Sequence, residues 1–179
     1  IVNEKGVRLT VPKRCSDRLA KQFLADNAEW LESQWFKRPQ GSSQNELRLH
    51  EDTNILLRGQ RHPVQWREAK FAQVSLQDDA VHIALPAKAG LTHTKRALKE
   101  FYLQEARKDI GLWLPKYLPA FPTAPLAIKV RALSSLWGSL SPGDGLLLDL
   151  SLVLGKASAF EYVLVHELCH LVHRNHSRS

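Results

Sequence analysis

The chain has 179 residues, a formal net charge of +7 at pH 7, eight histidines, two cysteines and no methionine. This length can bury one hydrophobic core and fits one domain with two lobes, and neither a membrane-spanning apolar run nor a signal-peptide pattern is visible. The cysteines are too few and too far apart for a disulfide framework or a zinc ribbon, so we expect a reduced, cytoplasmic protein without a membrane partner. A nucleic-acid partner stays an open but unsupported alternative, because the basic residues are scattered and no nucleic-acid-binding module accompanies them.

Residues 1–90 indicate an N-terminal α/β lobe. Alternating residues at 7–11 predict a short strand that ends before Pro12. Ser16 then opens an amphipathic helix predicted to reach about residue 36, whose apolar stripe we expect in the core: Leu19, Phe23, Leu24, Trp30, Leu31 and Trp35. After a polar loop, short strands are predicted to form a small antiparallel sheet with a tight turn at Asp78-Asp79, at 55–58, 64–67, 71–76 and 81–85.

Residues 91–179 indicate a second lobe. A long helix is predicted from about Thr94, closed or kinked by Gly111 and Pro115, with its apolar residues at helical spacing: Leu98, Phe101, Tyr102, Ala106, Ile110 and Trp113. A sheet, antiparallel or mixed, follows and is predicted at 128–133, 135–140 and 146–153 with a hairpin turn at 141–145. Ser158 and Glu161 form a capping box that opens the last helix. This order of elements predicts an α+β fold.

The last helix carries two histidines that flank a glutamate, His166-Glu167-x-x-His170. Residues four apart lie on one face of a helix, so both imidazoles can reach one metal ion. Glu167 projects about 100° away, where it can contact a water on that metal. The composition predicts only about 0.02 chance matches to this pattern. The motif therefore predicts a zinc-dependent hydrolase with two histidine ligands and a glutamate as general base.

A catalytic zinc ion usually has three protein ligands, and His173 and His176 are the candidates for the third. On a straight helix His176 would lie about 9 Å beyond His170, so the helix must end between them. Asn175 suits such an ending because asparagine tolerates the left-handed conformation. We predict His176 as the ligand and His173 as a group beside the metal or the substrate. Cys169 is a lesser alternative, as a fourth ligand.

Two related classes of zinc peptidase do not fit. The same histidine spacing occurs in metzincins, which carry glycine at the position of His173 and a methionine turn below the metal. The sequence has no methionine, which excludes an orthodox metzincin unless the methionine lies beyond its end. A thermolysin-like site would need a glutamate ligand downstream, and no glutamate follows Glu167.

Several segments of the chain resemble the YgjP-like metallopeptidase family, which is related to the SprT-like zincins. They are Trp137-Gly138-Ser139, Leu148-Asp149-Leu150, residues 162–171 and Asn175-His176-Ser177, and the similarity continues upstream at 7–12 and 55–59. It therefore covers essentially the whole chain. The family usually has cysteine and asparagine at two positions where this chain has Leu140 and Asp149.

The resemblance implies a minimal zincin-like fold, zinc ligands at His166, His170 and His176, and Glu167 as the catalytic base. The predicted order of a small α/β lobe, a long backing helix, a sheet and a final metal helix agrees with that layout. The family pattern runs past Ser177 to an aromatic pair, and the chain begins without methionine. We therefore expect both ends to be trimmed.

We thus predict a zinc metallopeptidase that acts on a peptide or protein substrate, with Glu167 moving a proton from water to the leaving amine. Tyr162, Tyr117 and His173 are candidate donors to the oxyanion. The segment 146–154 is the candidate exposed sheet edge for an extended peptide. Two alternatives stay open: a metal-dependent hydrolase of nucleotide phosphoanhydrides, and a non-catalytic module around a closed, four-ligand zinc site.

Overall fold

The structure, a computed structural model, describes residues 2–3, 6–7, 16–29, 48, 51 and 53–172. The chain divides into two compact units, Ile1–Glu46 and Leu47–Ser179. The expected division into lobes at residue 90 stays a prediction. In the described part of the chain, no helix is both long enough and apolar enough to cross a membrane.

The smaller unit contains two short antiparallel strands, β1 (Val2–Asn3) and β2 (Gly6–Val7), and the helix α1 (Asp17–Asp26). The Ser16 hydroxyl accepts a hydrogen bond from the N–H of Leu19 at 3.4 Å, which confirms the predicted start of the helix. α1 ends before Asn27, which caps it and whose side-chain amide donates to the carbonyl of Phe23 at 2.8 Å. Residues 28–29 are helical again, and the rest of the helix predicted to about residue 36 lies outside the described residues.

The apolar stripe of α1 was expected in the core, and for its first two members this prediction is wrong. Leu19 is 63% exposed, Phe23 is 55% exposed, and no residue of α1 is buried. The described part of this unit, one ten-residue helix and two two-residue strands, is too small to enclose them. The remaining predicted members from Trp30 onward lie outside the described residues.

The larger unit begins with a four-stranded sheet of β3 (Asn54–Leu57), β4 (Gln60–Glu68), β5 (Gln73–Gln77) and β6 (Ala80–Leu85), in the order β3-β4-β6-β5. Both of its hairpins turn through two residues with positive φ, which is the geometry that matches the twist of a β-ribbon. The φ values are 50° and 78° at Arg58 and Gly59, and 47° and 60° at Asp78 and Asp79.

This sheet is mixed rather than antiparallel as predicted, because β4 pairs in parallel with β6. The four residues after β4 cross over the place that β6 occupies beside β4. β5 therefore forms the edge of the sheet, with β6 between it and β4. The alternating pattern still identifies the buried face, since Ile55 and Leu57 are buried on β3.

A 27-residue helix, α2 (Leu91–Tyr117), follows the sheet and starts three residues before the predicted position. Gly111 lies within the helix, and Pro115 lies inside its last turn, two residues before the end at Tyr117. Only the final turn loses a hydrogen bond there, so the proline is tolerated. The predicted apolar face is confirmed by four buried side chains, Leu98, Phe101, Ala106 and Ile110.

The second sheet contains β7 (Ala127–Arg131), β8 (Gly138–Leu140) and β9 (Gly145–Asp149), in the order β7-β9-β8. β7 pairs with β9 in parallel and β8 pairs with β9 antiparallel. The segment 146–154 was predicted as the exposed edge, and this is wrong: β9 is the central strand and continues into a 3₁₀-helix, Leu150–Leu154. The edge nearest the last helix is β8.

The last helix, α3 (Ala157–Cys169), packs Phe160, Leu164 and Leu168 into the core. The predicted capping box is wrong, because the helix starts at Ala157 after Lys156 and has no side-chain cap. One apolar cluster joins residues of both sheets, α2 and α3. The predicted α+β class is therefore confirmed, with two mixed sheets and three α-helices among the described residues.

Candidate active site

The two histidines of the motif lie together at the end of α3. His166 is in its last turn and His170 is its C-cap. Their ring centroids are 5.2 Å apart with the planes at 88°. Both side chains are half-buried. They therefore lie one helical turn apart on the same side of the helix, as the spacing predicted.

The α-helix stops at this point. The N–H groups of Leu171 and Val172 donate to carbonyls three residues back, at 3.0 and 3.1 Å, which is a tightened turn rather than a continued α-helix. This ending before residue 173 agrees with the break that a ligand at His176 would require. His173, Asn175 and His176 lie outside the described residues. Their roles stay predictions.

No group of three or more histidine, cysteine, aspartate and glutamate side chains in the described part of the chain is arranged to hold a metal ion. His166 and His170 supply two nitrogen donors, whereas a catalytic zinc site usually has three protein ligands. Cys169, the alternative fourth ligand, is exposed and does not line the cleft beside the histidines.

Glu167 is 7% exposed and lies against the edge strand β8. A Cβ atom added to Gly138 would lie 2.7 Å from the Cγ of Glu167 and 2.9 Å from its Oε1. Such contacts are shorter than packed atoms allow, so only glycine leaves room for the glutamate in this position. The sequence signalled Gly138 only through the Trp-Gly-Ser resemblance and did not predict this contact.

A cleft of about 620 Å³ runs between α3 and residues 135–142. His166, Glu167 and His170 line it, together with Tyr162, which is 70% exposed. The Tyr162 ring stacks on His166 with centroids 6.0 Å apart and planes at 30°. The cleft thus brings the motif residues and one candidate oxyanion donor to the same surface.

Tyr117, another candidate oxyanion donor, does not line this cleft. Its hydroxyl donates to Oε1 of Glu161 at 2.7 Å, and the ammonium of Lys116 lies 3.0 Å from the same oxygen. The hydrogen bond from Tyr117, followed by the contact with Lys116, lowers the pKa of Glu161. Tyr117 therefore links α2 to α3, and its proposed role at the oxyanion is wrong.

β8 is the edge strand of its sheet, and its residues line the cleft. The carbonyl of Trp137 accepts from the N–H of Asp149 at 2.8 Å, and the N–H of Ser141 donates to Gly145 at 2.9 Å. These two positions of the chain therefore point toward β9. Because backbone groups alternate along an antiparallel strand, the N–H and C=O groups of Gly138 and Leu140 point to the other side. They are available to an extended peptide.

Asp149 occupies the position where the family usually has asparagine, and it holds the backbone beside β9. It is 5% exposed and accepts from the N–H of Ser151 at 2.8 Å, from the Ser151 hydroxyl and from the N–H of Leu133. The carboxylate caps the 3₁₀-helix and fixes the loop that leads to Trp137.

A second ionic group, which sequence reasoning missed, lies between the first hairpin and α2. Nη2 of Arg58 is 2.7 Å from Asp109 and 2.9 Å from Glu105, whose side chains are only 6% and 5% exposed. Burial opposes ionisation of Glu105, but hydrogen bonds from Lys108 and Arg58 lower its pKa. The N–H of Arg58 also donates to the carbonyl of Val153 at 2.8 Å. This ion cluster therefore ties the hairpin to α2 and to the segment that leads into α3.

Two helix-borne histidines beside a glutamate at an open cleft form the arrangement that metal-dependent hydrolases use. The family model of the YgjP-like metallopeptidase domain matches residues 1–179. The chain therefore belongs to the YgjP-like family, as the resemblance indicated. Searches of curated proteins and of solved structures gave no match.

Proposed function

We propose that the protein is a zinc-dependent peptidase of minimal zincin type. The observation that carries this proposal is the placement of His166 and His170 on one face of α3, with Glu167 held between that helix and an open strand edge. The description of the family as a metallopeptidase domain supports it.

The donor set suits zinc. Imidazole nitrogens are preferred zinc ligands, and a catalytic site commonly combines three protein ligands with one position left for water. His166, His170 and, beyond the described residues, His176 would hold the ion. When bound, zinc would lower the pKa of a water molecule toward about 7 and polarise the substrate carbonyl.

Glu167 performs the proton transfers in this proposal. Its carboxylate accepts the proton of the attacking water and then donates it to the nitrogen of the leaving amine. Burial beside Gly138 fixes the carboxylate in one place, so little reorganisation accompanies the transfer. The Tyr162 hydroxyl, on a ring stacked against His166, is the candidate donor to the oxyanion that develops on the attacked carbonyl. His173 stays a second candidate.

The substrate binds as an extended strand along β8. The outward N–H and C=O groups of Gly138 and Leu140 form hydrogen bonds with the peptide backbone, which places a peptide carbonyl beside Glu167. This assigns to β8 the role that the sequence had suggested for residues 146–154.

A nucleotide phosphoanhydride fits the cleft less well. The phosphates of nucleoside triphosphates are usually bound by arginine or lysine side chains or by phosphate-binding backbone loops. Among the described residues that line the cleft there is no arginine and no lysine. In the described part of the cleft, therefore, the net charge of +7 is not represented by any lysine or arginine side chain.

The test compares metal-stripped and zinc-reloaded protein on two substrates, an unfolded fluorescent polypeptide and nucleoside triphosphates. We expect zinc-dependent cleavage of the polypeptide and no release of phosphate or pyrophosphate. Nucleotide hydrolysis with intact polypeptide would establish the phosphohydrolase alternative instead. Stoichiometric zinc without hydrolysis of either substrate would favour the non-catalytic module.

A further inference from the structure

A second cleft, of about 540 Å³, adjoins the candidate catalytic cleft and is almost entirely apolar. We define it as the apolar pocket; its principal walls are Leu56, Trp137, Leu152, Leu154, Ala159 and Tyr162. Resting on the proposed peptidase function, we propose that this pocket binds a large apolar side chain of the substrate, about three residues from the bond that is cleaved.

The apolar pocket and the catalytic cleft share one face of α3. Ala159, Tyr162 and Val163 line the pocket, and Tyr162 and Val163 also line the cleft that contains His166. Tyr162 and Val163 lie three and four residues after Ala159 and four and three residues before His166, which places them on a single stripe of the helix. Trp137, immediately before β8, also lines both. One surface therefore runs from the metal-binding end of the helix to the pocket.

The length of this surface sets the position of the bound side chain. Ala159 and His166 are seven residues apart, which is about 10 Å along a helix axis. An extended peptide advances about 3.3 Å per residue, so about three residues span the same distance. A peptide paired with β8 passes Trp137 at the end of that strand and reaches the pocket.

The apolar lining of the pocket favours an apolar side chain of the substrate. Its described lining contains no charged side chain, and its only polar side chains are the hydroxyls of Ser151 and Tyr162 and the indole N–H of Trp137. Trp137, Tyr162 and Leu56 are 63%, 70% and 41% exposed, and such clustered exposed apolar groups mark binding surfaces. The Tyr102 hydroxyl donates to the Leu56 carbonyl at 3.1 Å, which fixes this wall to α2.

The preference of the pocket for a large apolar side chain indicates the class of substrate. Phenylalanine, leucine and tryptophan side chains are mostly buried in folded proteins. A peptidase that needs one of them in an exposed pocket, on a segment extended along a strand edge, acts on unfolded polypeptide segments rather than on folded surfaces.

The experiment uses two peptide series that differ only in phenylalanine or serine at each position up to four residues from the scissile bond. For zinc-loaded wild-type protein we expect kcat/KM to be about tenfold to a hundredfold higher with phenylalanine about three residues away, on one side of the bond. Ala159→Trp fills the pocket and should reduce this ratio to about one. Ser158→Trp, at the neighbouring exposed position that does not line the pocket, is the matched control and should keep the ratio.

Direct binding separates this inference from the proposed function. If the wild-type protein cleaves no peptide, the peptidase proposal fails, and calorimetric binding of the same peptides to the metal-free protein then decides about the pocket. Tighter binding of the phenylalanine peptide, lost in Ala159→Trp and kept in Ser158→Trp, supports the pocket. Equal cleavage or equal binding of the two peptides, or a preference that survives Ala159→Trp, would overturn it.

Discussion

The candidate active site and the ion cluster are both groups of charged or ionisable side chains, but they are built in different ways. The candidate active-site residues come from one turn of α3 and face an open cleft. The ion cluster joins Arg58 on a hairpin to Glu105 and Asp109 on α2, and its carboxylates are almost completely enclosed. Removing one member of an enclosed ionic group destabilises a fold because its partner is left buried and uncompensated, whereas polar groups that face a cleft are available for chemistry.

The comparison predicts which substitutions reduce activity and which reduce stability. Changes in the cleft should lower turnover and leave the free energy of unfolding nearly unchanged. Changes in the ion cluster should lower the free energy of unfolding and leave turnover nearly unchanged.

The largest effect is expected for Glu167→Gln. The amide cannot accept the proton of the attacking water, so kcat should fall by about 10² to 10⁴ while zinc stays bound. Glu161→Gln changes a glutamate on the same helix outside the cleft and is the matched control. The measurement is the rate of peptide hydrolysis with zinc content determined in parallel, and full activity of zinc-loaded Glu167→Gln would disprove the assignment of the base.

The next effect concerns stability. Arg58→Ala leaves the carboxylates of Glu105 and Asp109 enclosed without their guanidinium partner, which should lower the free energy of unfolding by about 3 kcal/mol. Arg61→Ala, at an exposed position of the next strand, should change it little. Urea unfolding curves measure both. A variant of Arg58 as stable as the wild-type protein would show that the cluster does not hold the hairpin to α2.

A smaller effect on activity is expected for Gly138→Ala, because Gly138 contacts the side chain of Glu167. The added Cβ displaces the Glu167 carboxylate, so kcat should fall by about tenfold to a hundredfold with KM and zinc content nearly unchanged. Gly143→Ala introduces a Cβ into open space and is the control. A Gly138→Ala variant with wild-type kcat would mean that the contact does not position the glutamate.

The smallest effect is a pH dependence at the contact between α2 and α3. Tyr117 and then Lys116 lower the pKa of Glu161, so its carboxylate contributes stability above its ordinary pKa of 4.5 that is lost as pH falls through the lowered value. Exposure to solvent keeps the contribution small. The melting temperatures of wild-type protein and Glu161→Gln should therefore differ slightly at pH 7 and converge in acid. A difference that widens on acidification would contradict this.

These two regions also explain what the sequence could predict. The motif on α3 was recognisable because its members lie within five residues, where helix geometry alone fixes their relation. The partners of Arg58 lie 47 and 51 residues away, and no local pattern indicates such pairing. The contact of Gly138 with Glu167 was hidden for the same reason.

The elements themselves were predicted better than their arrangement. Alternating and helical patterns located most strands and the long helix, because periodicity reports which face is buried. It does not report which strands are neighbours, so the parallel pairs β4–β6 and β7–β9 and the edge position of β8 were not predicted. The capping box failed because α3 starts one residue before Ser158 and Glu161 interacts with Tyr117 instead.

The central claim is that His166 and His170 bind zinc while Glu167 does not. Zinc content after exhaustive dialysis, measured for wild-type protein and for His166→Ala, His170→Ala and Glu167→Gln, tests it most directly, with the exposed His93→Ala as control. The account predicts stoichiometric zinc in the wild-type, Glu167→Gln and His93→Ala proteins and loss of zinc from both variants of the motif histidines. Zinc retained by His166→Ala and His170→Ala, or lost from Glu167→Gln, would contradict it.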